Sequence, residues 1–343
     1  MTNSAVDQVL SCSNFGSVKQ MRTVICQELS GPDGLTIENR PSPQCPPGQV
    51  RVAVKASGLN YVDALFTQGR YQIKPPLPFT PGSEIAGVIT EAGSSVEGWS
   101  IGERVSASIG LGGYSEEVLL NPTQIVRVPT RLSFEQAATM IQSYATAWFA
   151  LTRRTQVRPG EWIVVLGAAG GVGLAVIDVA KSLGANVIAA ASTTEKLSLC
   201  SRRGADAAIN YSTEDLKSRV REITRGGANK VLDPIGGTLC EQGLRSLDVN
   251  GQLMIIGFAS GDIPSIPANQ ILLRNRDVVG VDWGAWAMAN PAENNQVIDE
   301  ILAAVSTGTI NPIEPKSYPV EQVNAALNDL LERRVTGKAC LTF

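Results

Sequence analysis

The chain has 343 residues, enough for two domains or one large one, and its formal net charge of −3 is scattered, so no basic face for nucleic acid is indicated. Histidine is absent, which excludes hydrolases of the Ser–His–Asp or Cys–His type and any histidine-ligated catalytic metal. The six cysteines are widely spaced, and we see no secretory leader, so we expect free thiols in a cytoplasmic protein. No apolar run approaches the length of roughly 18 residues that a membrane span needs.

The first third of the chain has a β-rich pattern. Residues 1–20 are polar and unpatterned, and we expect a disordered extension. From Met21, short β-like runs are divided by Gly and Pro turns, which predicts a mostly β domain. The runs are Thr23–Cys26, Val50–Ala56, Ile85–Glu91, Arg104–Ala107, Glu117–Leu119 and Ile125–Val128. Phe134–Leu151 then has helical spacing, with Ser133 as its candidate N-cap.

A glycine-rich turn follows an apolar run without a gap. Glu161–Leu166 reads as a strand, Leu174–Lys181 as a helix and Asn186–Ser192 as the next strand, so one βαβ unit is complete. Glycines in such a turn bring the first helix amides and the positive end of the helix dipole close to a pyrophosphate. The segment therefore predicts a dinucleotide site formed by Gly167, Ala169, Gly170, Gly171, Val172 and Gly173.

The rest of the chain alternates between helix and strand. Helices are predicted near 197–203, 213–224 and 237–247, and strands near 207–210, 230–233, 251–257 and 278–281. This alternation predicts a parallel sheet with helices on both faces. Two further helices at 294–307 and 320–333 and a closing strand at 339–342 suggest that the tail returns to the first domain.

These segments resemble the zinc-free quinone oxidoreductase branch of the medium-chain dehydrogenase/reductase superfamily, the group that includes zeta-crystallin. The motifs are Gly58–Asp63, Pro81–Gly87, Gly112–Glu116, Tyr144–Ala147, the turn at 167–173, Asp233–Gly237 and Gly257–Gly261. The resemblance implies an α/β fold in which a doubly wound Rossmann sheet (145–288) is inserted in a split GroES-like, mostly β catalytic domain (21–144 and 289–343). It also implies a nicotinamide cofactor in the cleft, a small-molecule substrate and a homodimer.

The resemblance also bears on metal. In the zinc alcohol dehydrogenases of the superfamily a cysteine ligand stands at the position of Asn60 and a histidine ligand at that of Ser83. The four-cysteine lobe that holds a structural zinc in those enzymes would fall in the segment Val105–Gly113, which is short and contains no cysteine. We therefore predict no metal ligands. Without a Lewis acid to deprotonate an alcohol, hydride transfer to a polarised acceptor, a quinone or an α,β-unsaturated ketone, is favoured.

The end of the second predicted strand bears on the choice of cofactor. NAD-selective sites carry an acidic residue there, whereas this chain has Ala191-Ser192-Thr193, with Lys196 close behind. NADPH is therefore predicted, although Glu195 could be the acid displaced by a few residues. The resemblance places Ser192, Lys196 and Tyr211 around the 2′-phosphate, against the alternative of a solvated lysine at a helix start.

Three residues of the first domain are candidate catalytic residues. Asn60 and Asp63 follow a β run and are expected on a loop facing the cleft, where they could instead only stabilise a turn. The resemblance places Asn60 close to the nicotinamide and the substrate carbonyl. In the related enoyl-thioester reductases a tyrosine near the position of Tyr71 is the proposed proton donor, but quinone reductases often carry one here too.

The remaining candidates follow later strands or lie on the long helix. Gly236, Gly257, Phe258 and Ser260 are expected at the sheet edge where ligands collect. Thr146 resembles a family threonine near the nicotinamide, with helix packing as the alternative. Trp283 and Trp286 could line a flat, apolar pocket or pack the domain junction.

Three functions remain open from the sequence. The first is an NADPH-dependent, metal-free reductase of quinones or activated alkenes. The second is an enoyl-thioester reductase that uses Tyr71 as its acid. The third is a nucleotide-binding protein without turnover, because fold alone does not fix function.

Overall fold

A computed structural model describes residues 19–343. Its amino-terminal part is a β domain with one short helix. The elements are β1 (Gln20–Cys26), β2 (Leu35–Pro41), β3 (Val50–Leu59), α1 (Tyr61–Thr67), β4 (Glu84–Ala92), β5 (Arg104–Ser108), β6 (Glu117–Leu120) and β7 (Val126–Arg127). Strand β1 begins inside the extension predicted to be disordered, at Gln20, and the rest of that prediction, residues 1–18, lies outside the described residues.

The central part alternates between helix and strand, as predicted. The elements are α2 (Phe134–Phe149), β8 (Trp162–Leu166), α3 (Gly171–Ser182), β9 (Asn186–Ala191), α4 (Thr194–Arg202), β10 (Ala207–Asn210), α5 (Leu216–Thr224), β11 (Ala228–Asp233), α6 (Gly237–Ser246), β12 (Leu247–Ile255), α7 (Ala268–Leu272), β13 (Asp277–Gly280) and α8 (Trp283–Ala289). The chain closes with α9 (Pro291–Ser306), β14 (Lys316–Pro319), α10 (Val323–Leu331) and β15 (Ala339–Thr342).

Strands β8 to β13 form a six-stranded parallel sheet in the order β10-β9-β8-β11-β12-β13. Alternate residues of β8 enter separate cores on the two faces: Ile163 and Val165 belong to one, Val164 and Leu166 to the other. Both faces are therefore covered, as in a doubly wound sheet. The strand order reverses between β8 and β11, and the crevice at their carboxyl ends is where this fold binds ligands.

The β domain is completed by the end of the chain. Its seven-stranded sheet has the order β14-β15-β3-β4-β5-β7, with β6 paired to β3. Strand β15 runs antiparallel to β3, with Ala339 opposite Leu59. The α/β fold with a Rossmann sheet and a GroES-like β domain is thus confirmed, and the tail returns to the first domain as predicted.

Helix α2 joins the two sheets. It packs against β3, β4 and β5 on one side and against α3 and α9 on the other. The predicted N-cap is confirmed, because Ser133 Oγ accepts the Gln136 amide at 3.0 Å while the Gln136 side chain returns to the Ser133 amide. The α-helical geometry ends at Phe149, two residues before the predicted end, and a π-helical turn covers 150–154.

Several boundaries differ from the prediction for local reasons. Helix α5 begins at Leu216 rather than at residue 213, because Asp215 caps it by accepting the Ser218 amide at 2.8 Å. Strand β12 begins four residues earlier than predicted, at Leu247. The sequence also did not indicate β2, β14 and the short helices α1, α7 and α8.

The two tryptophans after the last strand of the Rossmann sheet pack the domain junction. The Trp286 ring lies 4.6 Å from that of Phe149, and Trp283 donates its indole N–H to Asn294 Oδ1 at 2.9 Å. Both contact the larger core, so packing describes them better than pocket lining. None of the helices within residues 19–343 is long and apolar enough to cross a membrane.

Candidate active site

The glycine turn lies between β8 and α3 at the carboxyl edge of the Rossmann sheet. Gly167 has φ +59°, and Gly170 is the N-cap of α3. A Cβ on Gly173 would lie 2.6 Å from the carbonyl oxygens of residues 167 and 168, so only glycine allows the helix to pack this closely. A Cβ on Gly170 would meet no atom nearer than 3.4 Å, so this position of the turn is less closely packed than Gly173.

These features fit a dinucleotide. The first amides of α3 have no intrahelical acceptor and carry the positive end of the helix dipole. Gly171 and Val172 are half-buried on the same turn, whereas Ala169 and Gly173 are buried. The carbonyl of Ala169 accepts the Gly337 amide at 2.8 Å, so the carboxyl-terminal segment lies directly on the turn.

The loops after β11 and β12 lie beside this turn and are bonded to each other. Asp233 Oδ1 accepts the amides of Ile235 and Gly236, at 2.8 and 2.9 Å. The amide of Ser260 donates to the Ile235 carbonyl at 2.8 Å, and a Cβ on Gly167 would lie 2.6 Å from the Ile235 side chain. The predicted residues Gly236, Gly257, Phe258 and Ser260 therefore share one edge with the turn, and Phe258 is 39% exposed there.

The residues predicted around a 2′-phosphate are brought together at the ends of β9 and β10. The Tyr211 amide donates to the Ala191 carbonyl at 3.2 Å, next to the half-buried Ser192. Lys196 lies in the first turn of α4 and donates Nζ to the Arg333 carbonyl at 3.3 Å. Glu195 is fully exposed, and its own helix-terminal amide and the Thr193 hydroxyl lower the pKa of its carboxyl.

The sequence did not indicate Arg333. It follows α10 with φ +58°, and its guanidinium donates to the Ala259 carbonyl at 3.1 Å. A second cation therefore lies between Lys196 and the loop after β12. The signal that could have drawn attention to it is the Arg333-Arg334 pair just before the closing strand.

Asn60 and Asp63 belong to a buried polar cluster at the start of α1. The prediction of a loop is wrong for Asp63, which lies in the helix, whereas Asn60 is the extended residue just before it. Asn60 is the N-cap of α1, and its amide donates to Asp63 Oδ2 at 2.8 Å. Tyr114 also donates its hydroxyl to that carboxylate oxygen, at 3.1 Å. The Asn60 side-chain amide donates to Ser83 Oγ and Glu84 Oε2, both at 3.3 Å.

A lysine from the far end of the chain completes the cluster. Lys338 precedes β15 and donates Nζ to Asn60 Oδ1 at 2.6 Å. A Cβ on Gly171 would lie 2.4 Å from Cδ of Lys338, so the same side chain also touches the glycine turn. Lys338 thus joins the turn to Asn60. Neither Lys338 nor Glu84 was among the predicted site residues.

Burial shifts the ionisation of the whole cluster. Burial raises the pKa of Asp63 to about 6 and that of Glu84 to about 7, although neighbouring hydrogen bonds and Lys338 act in the opposite direction. Burial also lowers the pKa of Lys338, against the attraction of the two carboxylates. Perturbed groups of this kind cluster at functional sites.

Two further candidates, Tyr71 of the β domain and Thr146 of α2, lie outside this hydrogen-bond network. Tyr71 is half-buried and packs edge-to-face on Phe66, with ring centroids 4.9 Å apart. Burial and the Asp282 carboxylate raise its pKa. Thr146 is half-buried on α2, one turn after Ser143, whose Oγ would lie 3.2 Å from a Cβ on Gly171.

No three side chains of the His, Cys, Asp and Glu types converge as a metal-binding set in the described part of the chain. The five cysteines within it are all free thiols.

Comparison with known proteins places this architecture in a family. The family model "Alcohol dehydrogenase GroES-like domain" matches residues 46–130, and the model "Zinc-binding dehydrogenase" matches residues 171–303. A quinone oxidoreductase-like protein 2 homolog from Nematostella vectensis is 40% identical over 328 residues, which cover 94% of this chain and 89% of the relative.

Two solved structures extend the similarity to the whole fold. A quinone oxidoreductase from Pseudomonas syringae is 30% identical with a TM-score of 0.86, over 94% of this chain and 100% of that one. The Escherichia coli quinone oxidoreductase complexed with NADPH is 28% identical with a TM-score of 0.85 over the same shares. Because the similarity runs through both sheets and most of each relative, the chain belongs to the quinone oxidoreductase branch of the medium-chain dehydrogenase/reductase superfamily of oxidoreductases.

Proposed function

We propose that the protein is an NADPH-dependent reductase of quinones or activated alkenes that works by direct hydride transfer without a metal. The observation that carries this proposal is the contact of Lys338 with both the glycine turn and Asn60. Through it, a cofactor held at the turn reaches the buried polar cluster of the β domain. The quinone oxidoreductase relatives support the same substrate class.

The preference for NADPH is supported by charge at the end of β9. The strand end Ala191-Ser192-Thr193 carries no carboxylate, and the exposed Glu195 carboxylate is bonded at its own helix terminus. Lys196, Ser192, Tyr211 and the newly identified Arg333 offer cationic and polar groups suited to a 2′-phosphate. The NADPH complex of the Escherichia coli relative agrees with this assignment.

The metal-free mechanism is supported by the composition of the cluster. The positions that hold zinc ligands in zinc-type relatives carry Asn60 and Ser83, whose side chains bond to each other at 3.3 Å. Bound NADPH supplies the hydride. The chain's own residues position the acceptor and exclude water, which accounts for a large share of the rate in such reactions.

The second candidate, an enoyl-thioester reductase, is favoured by one feature. The Tyr71 hydroxyl makes no hydrogen bond with any residue between 19 and 343, and burial raises its pKa, so the phenol stays protonated at neutral pH. Such a phenol can donate a proton to an enolate.

An assay panel separates the candidates. NADPH oxidation is measured with a 1,4-benzoquinone, a naphthoquinone, a simple enone and a crotonyl thioester under identical conditions. We expect the highest kcat/KM with one of the quinones or with the enone. Preference for the crotonyl thioester would establish the second candidate, and no turnover with any acceptor would refute both.

We further propose a cytoplasmic homodimer without nucleic-acid partners, with domain limits at 21–144, 145–288 and 289–343. Strand β13 supports the dimer, because its outer edge pairs with no strand in the described chain and Val278 on it is 36% exposed. Light scattering after size-exclusion chromatography tests it: twice the mass of 36.3 kDa is expected, and a monomer at micromolar concentration would contradict it.

A further inference from the structure

Lys338 is a buried cation whose hydrogen-bonding capacity is not used up. Lys338 is only 8% exposed. Among residues 19–343, Asn60 Oδ1 is the one acceptor of its ammonium group, and no carboxylate lies within 4 Å of Nζ. An ammonium group has three N–H donors. Two of these donors therefore have no acceptor among residues 19–343, and an oxygen of a ligand can accept from them.

The main chain holds this cation firmly. The amide of Gly337, just before it, donates to the turn at Ala169, and the carbonyl of Lys338 accepts the Lys316 amide at 2.9 Å. The following residue, Ala339, pairs with Leu59 in the sheet. A donor fixed in this way needs little reorganisation when a negative charge develops next to it.

The cation also contacts residues that stand, by the family resemblance, where zinc-type relatives carry metal ligands. Its one acceptor, Asn60, stands where such relatives carry a cysteine ligand, and Asn60 bonds in turn to Ser83 at the position of the histidine ligand. Glu84 and Asp63 face the same cluster and balance its charge, and Cys340 contributes a further weak interaction. One positive charge, that of Lys338, thus lies among these polar side chains.

We propose that the ammonium group of Lys338 binds the oxygen of the reducible carbonyl and stabilises the negative charge that develops there during reduction. The proposal rests on the proposed function for the identity of the acceptor, a quinone or an enone. It assigns to Lys338 the electrophilic role that zinc supplies in metal-containing relatives. Lys338 is then a catalytic residue and more than a support for Asn60.

The opposing explanation is that Lys338 only holds a cofactor phosphate at the glycine turn, which its Cδ also touches. Kinetics separate the two roles. For Lys338→Met we expect kcat with the best acceptor of the panel to fall about a hundredfold, the cost of losing one such donor, while the NADPH Kd stays within about threefold. Lys338→Arg should keep kcat within about tenfold of wild type.

A second measurement does not depend on turnover. 4-Nitrophenol mimics the reduced oxyanion, and its ionised form has a distinct absorption band. It is titrated with pH while bound to wild type, Lys338→Met and Lys338→Arg, each saturated with NADP⁺. A cation in contact should lower the pKa of the bound phenol by about one unit or more relative to Lys338→Met, and Lys338→Arg should retain the shift.

The matched control is Lys316→Met, a lysine on the neighbouring strand β14 whose ammonium pairs with Asp329 at 3.2 Å at the surface. It should change neither kcat nor the phenol titration. Thermal unfolding of each variant shows whether it folds. If Lys338→Met does not, the pKa of 4-nitrophenol bound to wild type is compared with that of the free phenol instead.

Three results would overturn the proposal: a tenfold or larger loss of NADPH affinity with kcat preserved, the same phenol pKa in wild type and Lys338→Met, or no binding of 4-nitrophenol to wild type. If wild type turns over no acceptor but shifts the phenol pKa, the proposed function fails while the role of Lys338 stands.

Discussion

Replacing Lys196 with alanine should selectively weaken the binding of NADPH. A 2′-phosphate carries close to two negative charges at neutral pH, and a hydrogen bond to such a charged group contributes about 1.5–3 kcal/mol. In the free protein, however, the Lys196 ammonium already donates to the Arg333 carbonyl at 3.3 Å. Opening that exposed bond offsets about 0.5–1.5 kcal/mol of the gain. The net loss should therefore be about 1–2 kcal/mol, or roughly 5- to 30-fold in Kd.

Fluorescence titration with NADPH and with NADH measures both affinities for wild type and variant. NADH lacks the phosphate, so its Kd should change less than twofold. Arg202→Ala is the matched control, because it removes a cation from the opposite end of the same helix, where no predicted cofactor residue lies. Equal losses for the two cofactors would mean that Lys196 supports the fold instead. Tighter binding of NADH than of NADPH by wild type would refute the cofactor assignment itself.

Three further predictions concern the acid, the buried carboxylate and the metal. Tyr71→Phe should lower quinone reduction by less than about tenfold, or 1.4 kcal/mol in barrier, and a loss of several hundredfold in kcat at unchanged NADPH Kd would favour the enoyl-reductase assignment. Asp63→Asn should become more stable relative to wild type as pH rises from 4 to 7. The pKa of the folded Asp63 carboxyl is about 6, above its unfolded value of about 3.9, so its ionisation weakens the folded state progressively over that range, by about 3 kcal/mol at most. Urea unfolding across the range measures this, and a constant difference between the two proteins would contradict it. Strong chelators should change neither activity nor Tm, and stoichiometric zinc in untagged protein would disprove metal-free catalysis.

The parts of the fold that could be predicted from the sequence are those whose pattern is local. Strand β8, the glycine turn and α3 are adjacent in the chain, and each is specified by its own periodicity. The cap of α2 was readable for the same reason, since Ser133 and Gln136 are three residues apart. The hairpin partner β2 was not, because the segment Leu35–Pro41 is mostly exposed and its apolar alternation stops after Ile37.

The candidate site was only half predictable because it is assembled across the chain. Asn60 and Asp63 stood out through a local motif, whereas their partner Lys338 is 278 residues away from Asn60. Glu84 lies inside the motif Pro81–Gly87, but nothing in the neighbouring sequence indicates that its carboxylate is buried beside Asn60. The two tryptophans after β13 remained ambiguous for a related reason: only the tertiary contacts with Phe149 and Asn294 distinguish packing from a pocket.

The pairing of β15 with β3 has a consequence for biosynthesis. Until β15 has been synthesised and has paired, β3 presents an open edge at Ala56–Leu59, and Asn60 has no lysine beside it. The nascent chain can form its Rossmann sheet earlier, from contacts that are close in sequence. The polar cluster around Asn60 is therefore completed only after β15 has been made. A chain truncated before β15 would keep the contacts within its Rossmann sheet but expose a strand edge prone to pairing with other chains.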